Sequence, residues 1–162
     1  MAEAVLICGR IASGKSWYAR MLMKNRRMVL LSVDEITLDI LGGDLGARHD
    51  EIASKIQTYL YGKSLEILRA GTDVILDWGF WTEDSRSEAR MFYQAHGISC
   101  SMHYIDIPVQ AWEENIEERN RAVLAGKVRA YLLDDGLRRK LEAAFEPPRR
   151  DEIDVWYVNC RE

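Results

Sequence analysis

The sequence predicts an α/β fold in which a parallel β-sheet carries helices on both of its faces. Short apolar runs alternate with stretches of helical character along the whole chain, which is the pattern of parallel strands joined by helical crossovers. The first run leads into a glycine-rich segment and then a helix, spelled Gly9-Arg10-Ile11-Ala12-Ser13-Gly14-Lys15-Ser16. With 162 residues, 48% of them hydrophobic, the chain is predicted to be one ordinary globular domain.

The elements follow from the order of these runs. Strands are predicted where short apolar runs occur, at residues 4–8, 28–33, 73–77, 101–105 and 155–158. Helices are predicted from helix-forming composition or apolar spacing, at residues 14–25, 35–41, 50–69, 83–96, 108–121 and 137–145. Asp50 and Thr82 are expected to be N-caps. The uneven, polar residues from about 117 to 136 are predicted to form a partly helical lid.

Bulk properties exclude several classes of function. The net charge of −4 gives no sign of a nucleic-acid footprint. Three dispersed cysteines argue against a disulfide framework and a zinc site. The chain shows neither a signal peptide nor an apolar stretch long enough to span a bilayer, so we expect a cytoplasmic protein without a membrane partner. Trp17, Trp112 and Trp156 are expected in the core.

Residues 9–16 fit the phosphate-binding pattern G-x-x-x-x-G-K-[ST] without a mismatch. The two glycines allow backbone N–H groups to approach phosphate oxygens, and the following helix adds the positive end of its dipole. All eight residues are therefore predicted to bind a nucleotide. Lys15 can reach the β- and γ-phosphates, and the Ser16 hydroxyl can ligate Mg²⁺.

Two carboxylates follow strands whose carboxyl ends meet the same rim as this loop. Asp77 ends an apolar run, and a carboxylate there can hold Mg²⁺; the alternative is an aspartate that caps a turn. Asp34 follows the second strand and is predicted to be the general base that takes the proton of an acceptor hydroxyl. The alternative for Asp34 is that it only caps the next helix.

Cationic and aromatic side chains complete the predicted site. Arg119 and Arg121, in the charged stretch before the lid, are candidates to neutralise charge on a transferring phosphoryl group, although charge runs are usually solvated helix faces. The aromatic loop after Asp77 is a candidate acceptor platform or, alternatively, packs under the next helix; it contains Trp78, Phe80 and Trp81. Arg86 can bind an anionic acceptor group or pair with a nearby acid.

These residues together resemble the small P-loop kinases, and especially the kinase-like ATP-binding proteins often labelled AAA-domain. Chloramphenicol phosphotransferase, zeta toxins and polynucleotide kinases are relatives, and gluconate and shikimate kinases are more distant. The resemblance rests on the loop, on Asp34 and on residues 74–77, 104–108, 118–121, 145–148 and 151–152. The aromatic loop departs from the glycine-rich acceptor loop of shikimate kinases, which argues against that substrate.

The resemblance implies a P-loop NTPase fold with three layers, a five-stranded parallel sheet of order 2-3-1-4-5 and a mobile lid. It also implies ATP with Mg²⁺ as donor and a hydroxyl as acceptor, with Asp34 at the carboxylate position and Arg119 and Arg121 at lid positions. We therefore predict a kinase that transfers the γ-phosphate to a small molecule such as a sugar, nucleoside or antibiotic-like compound. Two alternatives stay open: a polynucleotide 5′-hydroxyl kinase and a nucleotide-dependent regulatory NTPase.

Overall fold

A computed structural model describes residues 1–43 and 45–160. Its sheet contains five strands in the order β2-β3-β1-β4-β5, and every neighbouring pair is parallel. The strands are β1 Glu3–Cys8, β2 Met28–Ser32, β3 Asp73–Gly79, β4 Ser99–Asp106 and β5 Val155–Val158. The predicted fold class and strand order are confirmed.

The crossover connections contain six α-helices among the described residues. They are α1 Lys15–Asn25, α2 Val33–Leu41, α3 His49–Arg69, α4 Glu83–Ala95, α5 Val109–Leu124 and α6 Asp135–Ala144. Short 3₁₀ turns at Gly46–Arg48 and Arg150–Glu152 precede α3 and β5. None of the described helices is both long and apolar enough to cross a membrane.

The alternation of side chains along the central strand explains the three layers. Leu6 and Cys8 of β1 face a core cluster that includes Leu60 of α3 and Tyr93 of α4, whereas Ile7 faces a second cluster built on α1. Successive residues of a strand point to opposite faces, so a run that is apolar at every position requires cover on both sides. The helices provide it.

Local boundaries differ from the sequence prediction at positions that concern the site. Helix α2 starts at Val33 rather than 35 because the Ser32 side chain caps it, accepting from the Glu35 amide. Helix α3 starts at His49, which places Asp50 in its first turn rather than at the cap. Trp17, expected in the core, is instead 54% exposed in the first turn of α1, directly after residues 9–16.

Candidate active site

A cavity of about 1040 Å³ opens at the carboxyl ends of the central strands. In an open α/β sheet, ligands bind at this edge, because the strand-to-helix loops converge there. The cavity is lined by the predicted loop, by Asp34 and Asp77, by the aromatic loop and by residues of α3, α5 and α6. Most of the residues that the sequence singles out therefore share one space.

The phosphate-binding loop has the backbone that its glycines predict. Gly14 lies at φ 99° and precedes α1, a conformation that side-chain-bearing residues rarely adopt. A Cβ on Gly9 would lie 2.8 Å from Ser13 Oγ and 3.0 Å from the Ile105 carbonyl oxygen. Gly9 is therefore required for space, and Gly14 for backbone angle.

Side chains from distant parts of the fold hold the outer carbonyl groups of this loop. Three consecutive carbonyl oxygens each accept a hydrogen bond from a different side chain. The bonds are Trp112 Nε1 to Ile11 O (2.7 Å), Asn115 Nδ2 to Ala12 O (3.1 Å) and Asn159 Nδ2 to Ser13 O (2.8 Å). Because the C=O and N–H of a planar peptide unit point in opposite directions, fixing the carbonyl groups also fixes the direction of the amides. We call these three side chains the clamps.

Lys15 lies across the mouth of the loop. Its ammonium donates to the carbonyl oxygens of Gly9 (3.1 Å) and Arg10 (2.8 Å). Burial lowers the pKa of Lys15, while the carboxylates of Asp77 and Asp34 act to raise it. A cation held among carbonyl oxygens and two acids is placed to exchange those partners for phosphate oxygens.

Ser16 and Asp77 form the pair that a magnesium site needs. Ser16 Oγ donates to Asp77 Oδ2 at 3.2 Å, which joins the start of α1 to β3. Asp77 is 8% exposed, and burial raises its pKa against the opposing charge of Lys15. One hydroxyl and one buried carboxylate beside a phosphate loop fit Mg²⁺, whose remaining ligands come from water and phosphate oxygens.

Asp34 is exposed in the first turn of α2 and lines the cavity. The alternative role as a helix cap belongs to Ser32 instead. Asp34 also interacts electrostatically with Lys15 and with Asp77. The structure thus brings a carboxylate that the fold does not use as a cap to the same space as the phosphate loop.

The two lid arginines fall in different places. Arg119 lines the cavity, and its Nε atom is buried without a hydrogen-bond partner among the residues that the structure describes. Burial lowers its pKa, and the charge of Asp34 acts in the opposite direction. Arg121 is exposed, donates to the Glu117 carbonyl at 3.4 Å and does not line the cavity. Its position on the cavity wall therefore makes Arg119 a better candidate than Arg121 to neutralise charge on a transferring phosphoryl group.

The aromatic loop makes a strained turn that divides its three side chains. Gly79 (φ 89°) and Phe80 (φ 43°) are successive left-handed residues. Phe80 is 2% exposed and packs in the core, whereas Trp78 and Trp81 are half-buried on the cavity wall. A Cβ on Gly79 would collide with the Trp81 indole. Packing thus dominates for Phe80, and the two tryptophans face the cavity.

Arg86 is not available to an acceptor. Its guanidinium is 2% exposed, pairs with Glu152 at 2.6 Å and donates to the carbonyl oxygens of Phe80 and Glu146 at 3.1 and 3.0 Å. Of the two predicted roles for Arg86, the structure favours pairing with an acid over binding an anionic acceptor group. The ion pair is buried in the protein. Arg86 pins the aromatic turn to the segment that precedes β5.

Residues 125–134, which we call the strap, connect α5 to α6 and cross the cavity. Tyr131 lines the cavity and donates to Thr37 Oγ1 of α2 at 3.0 Å, and Arg129 pairs with Asp39 at 3.1 Å. The backbone of Leu133 makes two bonds with the side chain of Asn120, which anchors the returning chain. The strap occupies the position expected of a lid, but the first part of the predicted segment is continuous helix.

Sequence reasoning missed the clamps and most of the wall opposite the phosphate loop. The clamps are separated from the loop by 101, 103 and 146 residues, so no local pattern connects them. Tyr61 and Gln57 of α3 line the cavity, but in the sequence Tyr61 is one of many apolar residues of a long helix. The signal that could have identified Trp112 was its position one helical turn from Asn115.

Comparisons with known proteins agree with this geometry. A family model described as "AAA domain" matches residues 5–147. The Mycobacterium tuberculosis APS kinase CysC, solved with AMPPNP and APS, is 21% identical over 99% of this chain and 90% of its own, with a TM-score of 0.66. A sugar kinase from Janibacter sp. is 13% identical over 98% of this chain and 86% of its own, with a TM-score of 0.65.

A chain of the Pnkp1/Rnl/Hen1 RNA repair complex is also similar. It is 19% identical over 88% of this chain, which covers 43% of that longer chain, and the TM-score is 0.69. No sequence among the curated proteins matches. At these identities the likeness establishes the fold shared with P-loop kinases.

Proposed function

This chain belongs to the AAA domain family, and on that premise we propose that it is an ATP-dependent phosphotransferase acting on a hydroxyl group of a small molecule. One observation carries the proposal: a carboxylate that caps nothing, Asp34, shares a cavity with the phosphate loop, the Ser16–Asp77 pair and Arg119. The same cavity extends from the phosphate loop to side chains of α3 and α4, which supports a place for a second substrate beside the phosphates.

Each residue has a defined part in the proposed transfer. The loop amides and Lys15 bind the β- and γ-phosphates, and Ser16 and Asp77 hold Mg²⁺, which when bound offsets phosphate charge. Asp34 takes the proton of the acceptor hydroxyl as that oxygen bonds to the γ-phosphorus. The bond from the γ-phosphorus to the bridging oxygen breaks, and ADP leaves. Arg119 neutralises charge on the transferring group.

The test begins with ATP turnover, measured against a library of hydroxyl compounds. On an acceptor that is found, Asp34→Asn is expected to lower kcat by about 10²- to 10⁴-fold, the usual contribution of general acid–base catalysis. Binding of ATP, measured by calorimetry, should stay unchanged because the phosphate loop is untouched. Glu35→Gln removes the adjacent exposed acid of α2 and serves as the matched control. Full transfer by Asp34→Asn contradicts the proposal.

A polynucleotide 5′-hydroxyl kinase is the second candidate, and the likeness to a chain of an RNA repair complex favours it. Such an enzyme needs cations along the acceptor groove. Phosphorylation of a short 5′-hydroxyl oligonucleotide, with an apparent affinity that falls steeply as salt rises, would select this candidate over a small-molecule kinase.

A further inference from the structure

We infer that the acceptor is a hydroxyl compound that carries an ammonium group and no anionic group. The inference rests on the proposed function and concerns the half of the cavity away from the phosphate loop. This acceptor side is formed by Asp34, Asp50, Gln57, Tyr61, Trp78 and Glu88, which come from α2, α3, the end of β3 and α4.

Charge on the acceptor side is one-sided. Three of its six side chains are carboxylates, those of Asp34, Asp50 and Glu88. The lysines and arginines that line the cavity within the described part of the chain are Lys15, Arg119 and Lys140. Lys15 lies on the phosphate loop, and Arg119 is the proposed partner of the transferring group.

Lys140 belongs with the phosphate loop rather than with the acceptor side. It lies on α6, whose Leu137 and Leu141 pack against the same buried cluster, around Trp112, as Ile11 and Ala12 of that loop. His49 is the remaining basic side chain on the wall, and its Nδ1 lies 3.3 Å from Asp50 Oδ1. Asp34 lies within electrostatic reach of Lys15 and Arg119 at the border with the donor groups. Asp50 and Glu88 have no lysine or arginine among the six described side chains of the acceptor side.

Basic residues close to this wall in sequence or across the strap are occupied elsewhere. Arg48 and Lys55, near Asp50 and Gln57, both pair with Glu51. Arg86 is buried against Glu152, and Arg90 pairs with Asp154 at 2.6 Å. Arg129 of the strap pairs with Asp39 at 3.1 Å. An anionic acceptor would thus meet Asp50 and Glu88 with the His49 ring as the basic side chain on the described part of that wall, and the two carboxylates would disfavour it by repulsion.

Aromatic rings beside the carboxylates give the acceptor an apolar surface and strengthen the preference for a cation. The Trp78 and Tyr61 rings meet edge to face with centroids 5.2 Å apart. The Tyr61 ring also packs on Phe92 of α4 with centroids 4.7 Å apart, and Glu88 lies one helical turn before Phe92. Burial raises the pKa of the Tyr61 phenol, and the charge of Glu88 acts in the same direction. Ring faces and carboxylates together are the side chains that bind organic ammonium groups.

The experiment uses ring compounds available in ammonium, neutral and carboxylate forms; glucosamine, glucose and glucuronate are one such trio. Phosphate transfer is measured for each, and calorimetry on the ADP-loaded protein measures binding of the same compounds. The ammonium member should have the lowest KM and the tightest binding. Glu88→Gln should raise its KM about tenfold, close to the loss of one charged contact, with little effect on the neutral member.

Asp84→Asn, which removes an exposed acid of α4 outside the cavity wall, is the matched control and should change neither value. Equal use of the ammonium and neutral members, or preference for the carboxylate member, overturns the inference while leaving phosphotransfer intact. Absence of transfer to every compound of the hydroxyl library contradicts the proposed function instead, and the calorimetric ranking of the trio then decides the charge preference by itself.

Discussion

The two sides of the cavity are built in opposite ways. The donor side, which comprises residues 9–16, Asp77 and Arg119, takes most of its binding groups from one continuous segment of backbone. The acceptor side takes side chains from four separate elements, over a span from Asp34 to Glu88. Backbone amides can bind phosphate in any protein that has the glycines and the loop geometry, whereas recognition of an acceptor depends on which side chains meet.

Because the two sides are built differently, we expect substitutions to affect their shapes differently. The donor side is held by clamps that contact carbonyl oxygens, so its shape should tolerate the loss of any single one. The acceptor side depends on the strained turn at Gly79 and Phe80. The buried Arg86 guanidinium holds that turn, together with hydrogen bonds from Cys8 Sγ to the Phe80 carbonyl and from the Gly9 amide to the Gly79 carbonyl. A variant that damages one side and spares the other tests the division directly.

The largest effect is expected from Arg86→Met, which breaks the acceptor side. The change removes the buried guanidinium from Glu152, which keeps its contacts with Arg149. It also removes the donor to the Glu146 carbonyl and one of the two side-chain donors to the Phe80 carbonyl. Removing one member of a buried ion pair costs about 3–5 kcal/mol. Denaturant unfolding should show this loss, and the surviving folded protein should have a raised KM for acceptor with an unchanged KM for ATP.

Arg90→Met provides the control, because the Arg90–Asp154 pair is partly exposed and worth about 1 kcal/mol or less. The double variant Arg86→Met with Glu152→Met should recover much of the stability, since an apolar pair replaces a buried ionic one. Equal losses for Arg86→Met and Arg90→Met would show that the buried guanidinium does not hold the turn.

The fold and the donor side could be read from the sequence because both depend on local patterns. The resemblance to P-loop kinases and the strand order are confirmed. Apolar runs such as residues 74–76 are typical of strands that need cover on two faces, and the spacing of residues 9–16 is typical of a phosphate-binding loop. Physical constraints that act within about ten residues leave signatures that single sequences retain.

The acceptor side could not be read because its members meet only in the tertiary fold. The sequence of α4 predicts an exposed position for Arg86. Nothing within that helix indicates that Arg86 is buried and pairs with Glu152. Trp17 and Trp112 are both tryptophans near the start of a helix, yet one is 54% exposed and the other 2%. The choice between core and cavity wall is decided by long-range packing, which periodicity does not encode.

A smaller effect is expected from the clamps, on the donor side. Asn159→Ala removes the donor to the Ser13 carbonyl, and Trp112→Phe removes the donor to Ile11 while keeping a ring between Arg10 and Arg138. One neutral hydrogen bond contributes about 0.5–1.5 kcal/mol. Each variant should therefore weaken ATP binding by up to about tenfold, with the acceptor KM at saturating ATP unchanged.

The matched control for the clamps is Asn25→Ala, which removes an asparagine donor to the Met21 carbonyl at the exposed end of α1. It should leave ATP affinity at the wild-type value. Calorimetric titration with ATP and with ADP measures all three variants. Unchanged affinity in both clamp variants would mean that the loop keeps its shape without these side chains.

The smallest effect is expected from His103, which lies outside both sides and tests whether they are independent of the rest of the fold. Its ring nitrogens contact Tyr18 Oη at 2.9 Å and Ser101 Oγ at 3.1 Å, and burial lowers its pKa against the opposing charges of Glu3 and Asp154. The unfolded chain, with a pKa of about 6.5, therefore gains the proton first as pH falls. The stability that the neutral His103 ring contributes is present above that pH. It is lost below that pH, where the free energy of unfolding falls by at most about 1.4 kcal/mol per pH unit.

Urea unfolding measures this effect between pH 7 and 5, where the carboxylates with lowered pKa values are still ionised. The free energy of unfolding should fall less steeply with pH for His103→Gln than for the wild type. An equal pH dependence in the two proteins would assign it to another group. A change in the KM for ATP or for acceptor would show that the donor and acceptor sides depend on the contacts of His103 with Tyr18 and Ser101.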